Sequence, residues 1–145
     1  MALAIHVAEV ALAPYTAYWE ANGYGQPLAA LAAARAVAAA PGPAHLRQAQ
    51  AAGDAVFDEQ PSFGSTAAFE AAEAAGYAAL AAAHPKAFKK WTRSAVMGAL
   101  NAHLVGVDLD ENKDFNVAWE QAKADWMADL EQWRTEQAGV GGMAL

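Results

Sequence analysis

Alanine occupies 42 of the 145 positions, and its densest runs are two tracts, 28–40 (LAALAAARAVAAA) and 71–84 (AAEAAGYAALAAAH). Alanine is the strongest helix former and the smallest side chain that carries a Cβ. Two helices of this kind can bring their backbones close together, because little stands between them. They must then take bulk from elsewhere in the chain to fill a core. The tracts therefore predict an all-α bundle with smooth, small-residue helix faces.

Proline and glycine divide the rest into helical stretches, and no segment reads as a strand. The first runs over 3–22, with Pro14 either bending one helix or separating two, because proline removes an internal hydrogen bond. Asn22-Gly23-Tyr24-Gly25 ends it in a turn. Pro27 suits the first position of a second helix to about residue 40. Pro41-Gly42-Pro43 is a hard break, and Pro43 can open a third helix over 44–59, with Gly53 a weak point inside it. Ser65 or Thr66 fits the N-cap of a fourth helix that stops at His84, before Pro85. The fifth runs over 86–104, with Phe88, Trp91, Val96, Leu100 and Leu104 at mixed three- and four-residue spacings. The sixth begins after either Asp108, which has Glu111 at capping-pair distance, or Asp114. It ends near Gln137, so that 1–137 reads as one domain and 138–145 as a flexible tail.

The sixth helix carries the bulk. Phe115, Trp119, Ala122, Trp126, Leu130 and Trp133 fall at i, i+4, i+7, i+11, i+15 and i+18, a single helical stripe. The expectation is that this stripe packs onto the alanine faces of the second and fourth helices and dominates the core, so that Trp126→Ala unfolds the domain. The functional alternative is an aromatic ligand cage.

Composition narrows the classes of function. With 16 Asp+Glu against 9 Lys+Arg, the net charge of −7 opposes general nucleic-acid affinity, which needs clustered basic residues, and is compatible with a basic partner. The absence of cysteine excludes disulfides, Cys-ligated zinc and thiol nucleophiles. The start MALAIHVAEV lacks a basic n-region, and no run of about twenty apolar residues escapes charge, so the expectation is a cytoplasmic protein without a membrane span.

Chemistry-bearing motifs are scarce. His6, His45, His84 and His103 form no HxxxH or HExxH pair. His84 reads either as a cation at a helix C-terminus or, with His103, as part of an acid–base or metal site. Asp108, Asp110, Asn112 and Asp114 match calcium-loop positions 1, 3, 5 and 7. Lys113 stands where the loop needs Gly and Trp119 where it needs Glu, so capping and solvation read better and no metal or cofactor is expected. There is no GxSxG, P-loop or GxGxxG, and Asp54/Asp58 and Glu70/Glu73 read as solvated faces. Charge is segregated: Lys86, Lys89, Lys90 and Arg93 share one helix face. Asp108, Asp110, Glu111, Asp114, Glu120 and Asp125 head an acidic segment that is either simply solvated or a docking surface for a cationic protein.

The run Pro27 to Ala36, then Leu46-Arg47-Gln48-Ala49, together with the tract ending Ala81-Ala82-Ala83-His84, resembles a family of small all-helical bacterial immunity proteins. The Trp126 to Arg134 region is weakly similar to that family's closing helix. The sequence departs from the pattern after His84, where Pro-Lys-Ala-Phe-Lys-Lys-Trp replaces small residues and a further His. The resemblance implies a toxin-neutralising binding protein with no catalytic residues. Three functions thus stand as expectations: a non-enzymatic binding protein for a basic toxin, a small helical enzyme or metal-binding bundle built on His84 and His103, and a homo-oligomeric scaffold.

Overall fold

Proline and glycine break the chain close to where the sequence places the breaks. The computed structural model describes residues 2–58, 66–105 and 115–144, with backbone alone at 66, 115, 116 and 140–144. The helices are α1 (Ala2–Leu12), α2 (Thr16–Ala21), α3 (Gln26–Ala39), α4 (Pro43–Asp58), α5 (Thr66–Ala83), α6 (Phe88–Val105) and α7 (Phe115–Ala144). Short 3-10 turns at Ala13–Tyr15 and Pro85–Ala87 lead into α2 and α6. With α1 and α2 taken as one broken run, these are the expected six helices, and among the described residues there is no strand.

Pro14 separates two helices rather than bending one. It sits in the 3-10 turn, and the Thr16 hydroxyl ties the two sides by donating to the Leu12 carbonyl at 3.3 Å. The next turn needs glycine: Gly23 has φ of +69°, a left-handed conformation that carries little penalty only without a Cβ. Pro43 opens α4, as expected, while Pro27 lies one residue inside α3. α7 is described from Phe115, with both candidate caps, Asp108 and Asp114, outside the described residues, and the helix continues beyond Gln137 to Ala144.

The alanine tract of α5 lies at the centre. This helix packs against α1, α3, α4 and, most extensively, α6. Ala67, Ala68, Ala71, Ala72, Ala74, Ala75, Ala78, Ala79, Ala81 and Ala82 are all buried, so small side chains point inward around most of its circumference. A helix apolar on nearly every side is one that is enclosed. Small residues also set how closely its neighbours approach. A Cβ at Gly76 would stand 2.8 Å from the Phe57 ring, and one at Gly53 would stand 3.0 Å from Leu80, so these two glycines let α4 and α5 cross. From α6, Ala95, Gly98, Ala99, Leu100 and Ala102 complete the contact, whereas Phe88 of the expected apolar set is exposed.

The tryptophan stripe does not supply the core's bulk, contrary to the sequence expectation. Trp119, Trp126 and Trp133 are only half-buried, and α7 makes its extended contact with α6 rather than with α3 or α5. The reason is geometric: α5 is already enclosed by α1, α3, α4 and α6, which leaves no alanine face of α5 for α7 to cover. Trp19 fills that role instead, with no exposed surface and edge-to-face contacts to Tyr18, Tyr24 and Phe69 at centroid separations of 4.8, 4.9 and 5.8 Å. The Tyr24 hydroxyl donates to the buried Val56 carbonyl at 2.7 Å, fastening the α2–α3 turn to α4. Burying an aromatic of this size is worth on the order of 3 kcal/mol. The helical period of the α7 stripe is still correct: Trp119, Ala122, Trp126, Leu130 and Trp133 are its half-buried side.

Candidate functional site

Where α7 crosses the bundle it leaves hollows instead of a sealed seam. Pro14 ends the regular run of α1, and the small side chains of Ala11, Ala99 and Ala102 line the α1 and α6 side of the space beside Trp126. Trp126 roofs that space without occupying it. One hollow of about 390 Å³ lies among Val10, Ala11, Pro14, Tyr15, Ala99, Ala102, His103 and Trp126. A second, of about 290 Å³, lies among His6, Val7, Val10, His103, Trp126, Asp129 and Leu130. They share Val10, His103 and Trp126, so they form one groove. A shallower depression continues past His6 to Glu9, Arg35 and Trp133.

The ends of the groove are polar. His6 is stacked on Trp133, with centroids 4.1 Å apart and planes 6° from parallel. Burial pushes the His6 imidazole below its usual pKa, against a smaller opposite pull from Glu9. Glu9 is itself paired with Arg35 at 2.8 Å. His103 and Asp129 are exposed at the rim. Val10, at the mouth, leaves 55% of its surface in water.

The acidic residues singled out from the sequence separate. Asp108, Asp110, Glu111 and Asp114 lie outside the described residues. Glu120 and Asp125 are both exposed on α7, but five residues put them about 140° apart around a helix, on opposite flanks. Asp125 shares its flank with Asp129 and Glu136, at spacings of four and seven residues. Gln121 donates to Asp125 at 2.8 Å, and Gln132 donates to Glu136 at 3.1 Å, so that flank is acidic and amide-lined. Glu120 and Glu131 instead lie beside Lys123 and Arg134. The acidic flank, through Asp129, borders the groove.

The histidine pair does not come together. His84 is exposed just after α5 and His103 is near the end of α6, so the two are separated by roughly 20 Å of helix. No single acid–base or metal site can use both. Among the described residues, no three of His, Asp or Glu are grouped as a metal would require, and no helix is long and apolar enough to cross a membrane.

A second polar strip, expected from its spacing to be solvated, is partly withdrawn from water. Glu70, Glu73 and Tyr77 form the half-buried line along which α5 reaches the surface. Desolvation, then repulsion from Glu73, raises the Glu70 carboxyl above its usual range, against a hydrogen bond from the Asn101 side chain. Desolvation, followed by Glu73 and Glu70, likewise raises the Tyr77 hydroxyl. Tyr77 sits between the Phe57 and Trp91 rings, 4.9 and 6.0 Å away, and Lys90 caps Trp91 at 4.6 Å.

Sequence reasoning missed His6, Val10, Tyr15 and Asp129 as members of one groove. The i, i+3 step from Trp126 to Asp129 was readable, whereas the meeting of α1 with α6 and α7 was not. Compared with known proteins, the chain matches no protein-family model, no curated protein and no solved structure.

Proposed function

We propose that this chain is a non-enzymatic binding protein that takes up a basic protein partner on the acidic flank of α7, as an immunity protein covers a cationic toxin. The observation that carries the reading is the exposed line Asp125, Asp129 and Glu136, free of lysine and arginine along its length and bordering an apolar groove. The net charge of −7 extends the same field over the molecule, and electrostatic complementarity of this kind raises association rate and selects partners. The likeness of the alanine tracts to bacterial immunity proteins supports the narrower toxin reading.

The test is affinity capture from the source organism at low salt and at about 0.5 M salt, where charge attraction beyond a few ångströms is screened. The expected result is one basic protein retained at low salt by the wild-type chain, lost from D125N/D129N/E136Q, and re-forming a stoichiometric complex from purified components. Failure of any basic protein to bind, together with a mass that rises with concentration in light scattering, would replace this reading with the homo-oligomeric scaffold.

A further inference from the structure

Beyond protein recognition, we propose that the groove between α1, α6 and α7 is a binding site for a small organic amine with an apolar body. Size comes first. The joined hollows of about 390 and 290 Å³ fall in the range of ligand pockets, which run from about 300 to 1,000 Å³. That is room for a small free molecule rather than for one inserted side chain.

The lining sets its chemistry. Val10, Ala11, Pro14, Leu130 and the faces of Tyr15 and Trp126 give an apolar floor and two aromatic walls. Such walls accept the hydrocarbon part of a ligand and also attract a cation lying over them. Asp129 is the carboxylate at the rim, and neither hollow is lined by lysine or arginine. His6 is a weak opponent of a cation, because burial favours the neutral form of its ring. His103 offers a ring nitrogen at the same end. An anion would meet Asp129 with no fixed positive charge to balance it.

The fold also explains why the space is open. Alanines at 11, 99 and 102 and the proline break at 14 withdraw side chains from it, and Trp126 covers it from the α7 side. Val10 is left facing water at the mouth, where a bound apolar body would cover it.

A matched series decides the matter: phenylbutylamine, phenylbutyrate and phenylbutanol share one apolar body and differ in charge. Each is titrated into the full chain, followed by calorimetry and by the indole N–H resonance of Trp126. The amine is expected to bind about tenfold more tightly than the carboxylate, a difference of roughly 1.4 kcal/mol. D129N, a surface change that leaves packing intact, should bring the amine down to the affinity of the alcohol. Ala11→Phe should fill the mouth and abolish binding of all three, with the circular dichroism unchanged. Equal affinity for amine and carboxylate, amine binding indifferent to D129N, or no Trp126 shift with any probe would overturn the proposal.

Discussion

Trp133 lies flat against His6, and this stack joins the distal half of α7 to α1. It also makes that junction sensitive to pH. The folded His6 pKa is below its ordinary value of 6.5, so the unfolded or undocked chain binds a proton more readily. The contribution is therefore complete above about pH 6.5 and is lost as pH falls through the lowered folded value. Glu9 beside the ring, and His103 and Asp129 across the groove, are the other titrating groups that face it. Hydrogen exchange of α7 amides should accelerate between pH 7 and pH 5 relative to α5, after correction for intrinsic rates, and His6→Gln should remove the difference.

Trp19 and Trp126 should differ sharply on truncation. Trp19→Ala opens a cavity at a site with no exposed surface and is expected to cost about 3–5 kcal/mol in urea denaturation. Trp126→Ala removes a half-buried roof and should cost about 1–2 kcal/mol, leaving a folded chain. The reverse order would return the stripe to the core.

Two glycines should respond in opposite directions. Gly98 faces the α5 backbone, where an added Cβ would stand 3.3 Å from the Glu70 carbonyl oxygen, and a backbone neighbour cannot turn aside. Gly98→Val should cost about 1–3 kcal/mol through overpacking. At Gly139 an added Cβ would meet nothing within 4 Å, so Gly139→Ala should gain up to about 1 kcal/mol of helix stability. Thermal midpoints of the two variants give the signs directly.

Glu70 gives the opposite pH sign from His6. Its folded pKa is raised, so its ionised form is the disfavoured one. Relative stability is gained as pH falls through the raised value and is complete below the unfolded value near 4.5. Glu70→Gln removes the repulsion with Glu73 and can still hydrogen-bond Asn101. Its melting temperature should exceed that of the wild-type chain at pH 7 and converge with it at pH 4.

Local signals were legible in the sequence because they act over a few residues. Pro14, Gly23, Pro43 and Pro85 mark breaks through their own backbone chemistry, and the alanine tracts specify helices through propensity. The face of α7 was legible too, since a three- and four-residue rhythm identifies the side that turns inward. Depth was not. A tryptophan repeat looks the same on a helix that fills a core and on one resting at its edge, and the difference lies in whether α5 has a side left to cover. Trp19 belongs to no stripe, and its burial depends on Tyr24 and Phe69 arriving from other segments. The candidate groove was hidden for the same reason: His6, His103 and Asp129 come from three helices. The acidic cluster overstated its unity, because neighbours in sequence such as Glu120 and Asp125 diverge around a helix.

The central claim is that α5 is the enclosed helix and α7 a peripheral one that carries the acidic flank and roofs the groove. Residue-resolved hydrogen exchange under native conditions tests it most directly, because core amides exchange only on global opening and edge elements open locally. The α5 amides from Ala71 to Ala82 are predicted to exchange only on global opening, with α7 amides around Trp119 to Trp133 opening at much lower free energy. Protection of α7 equal to that of α5 would contradict it.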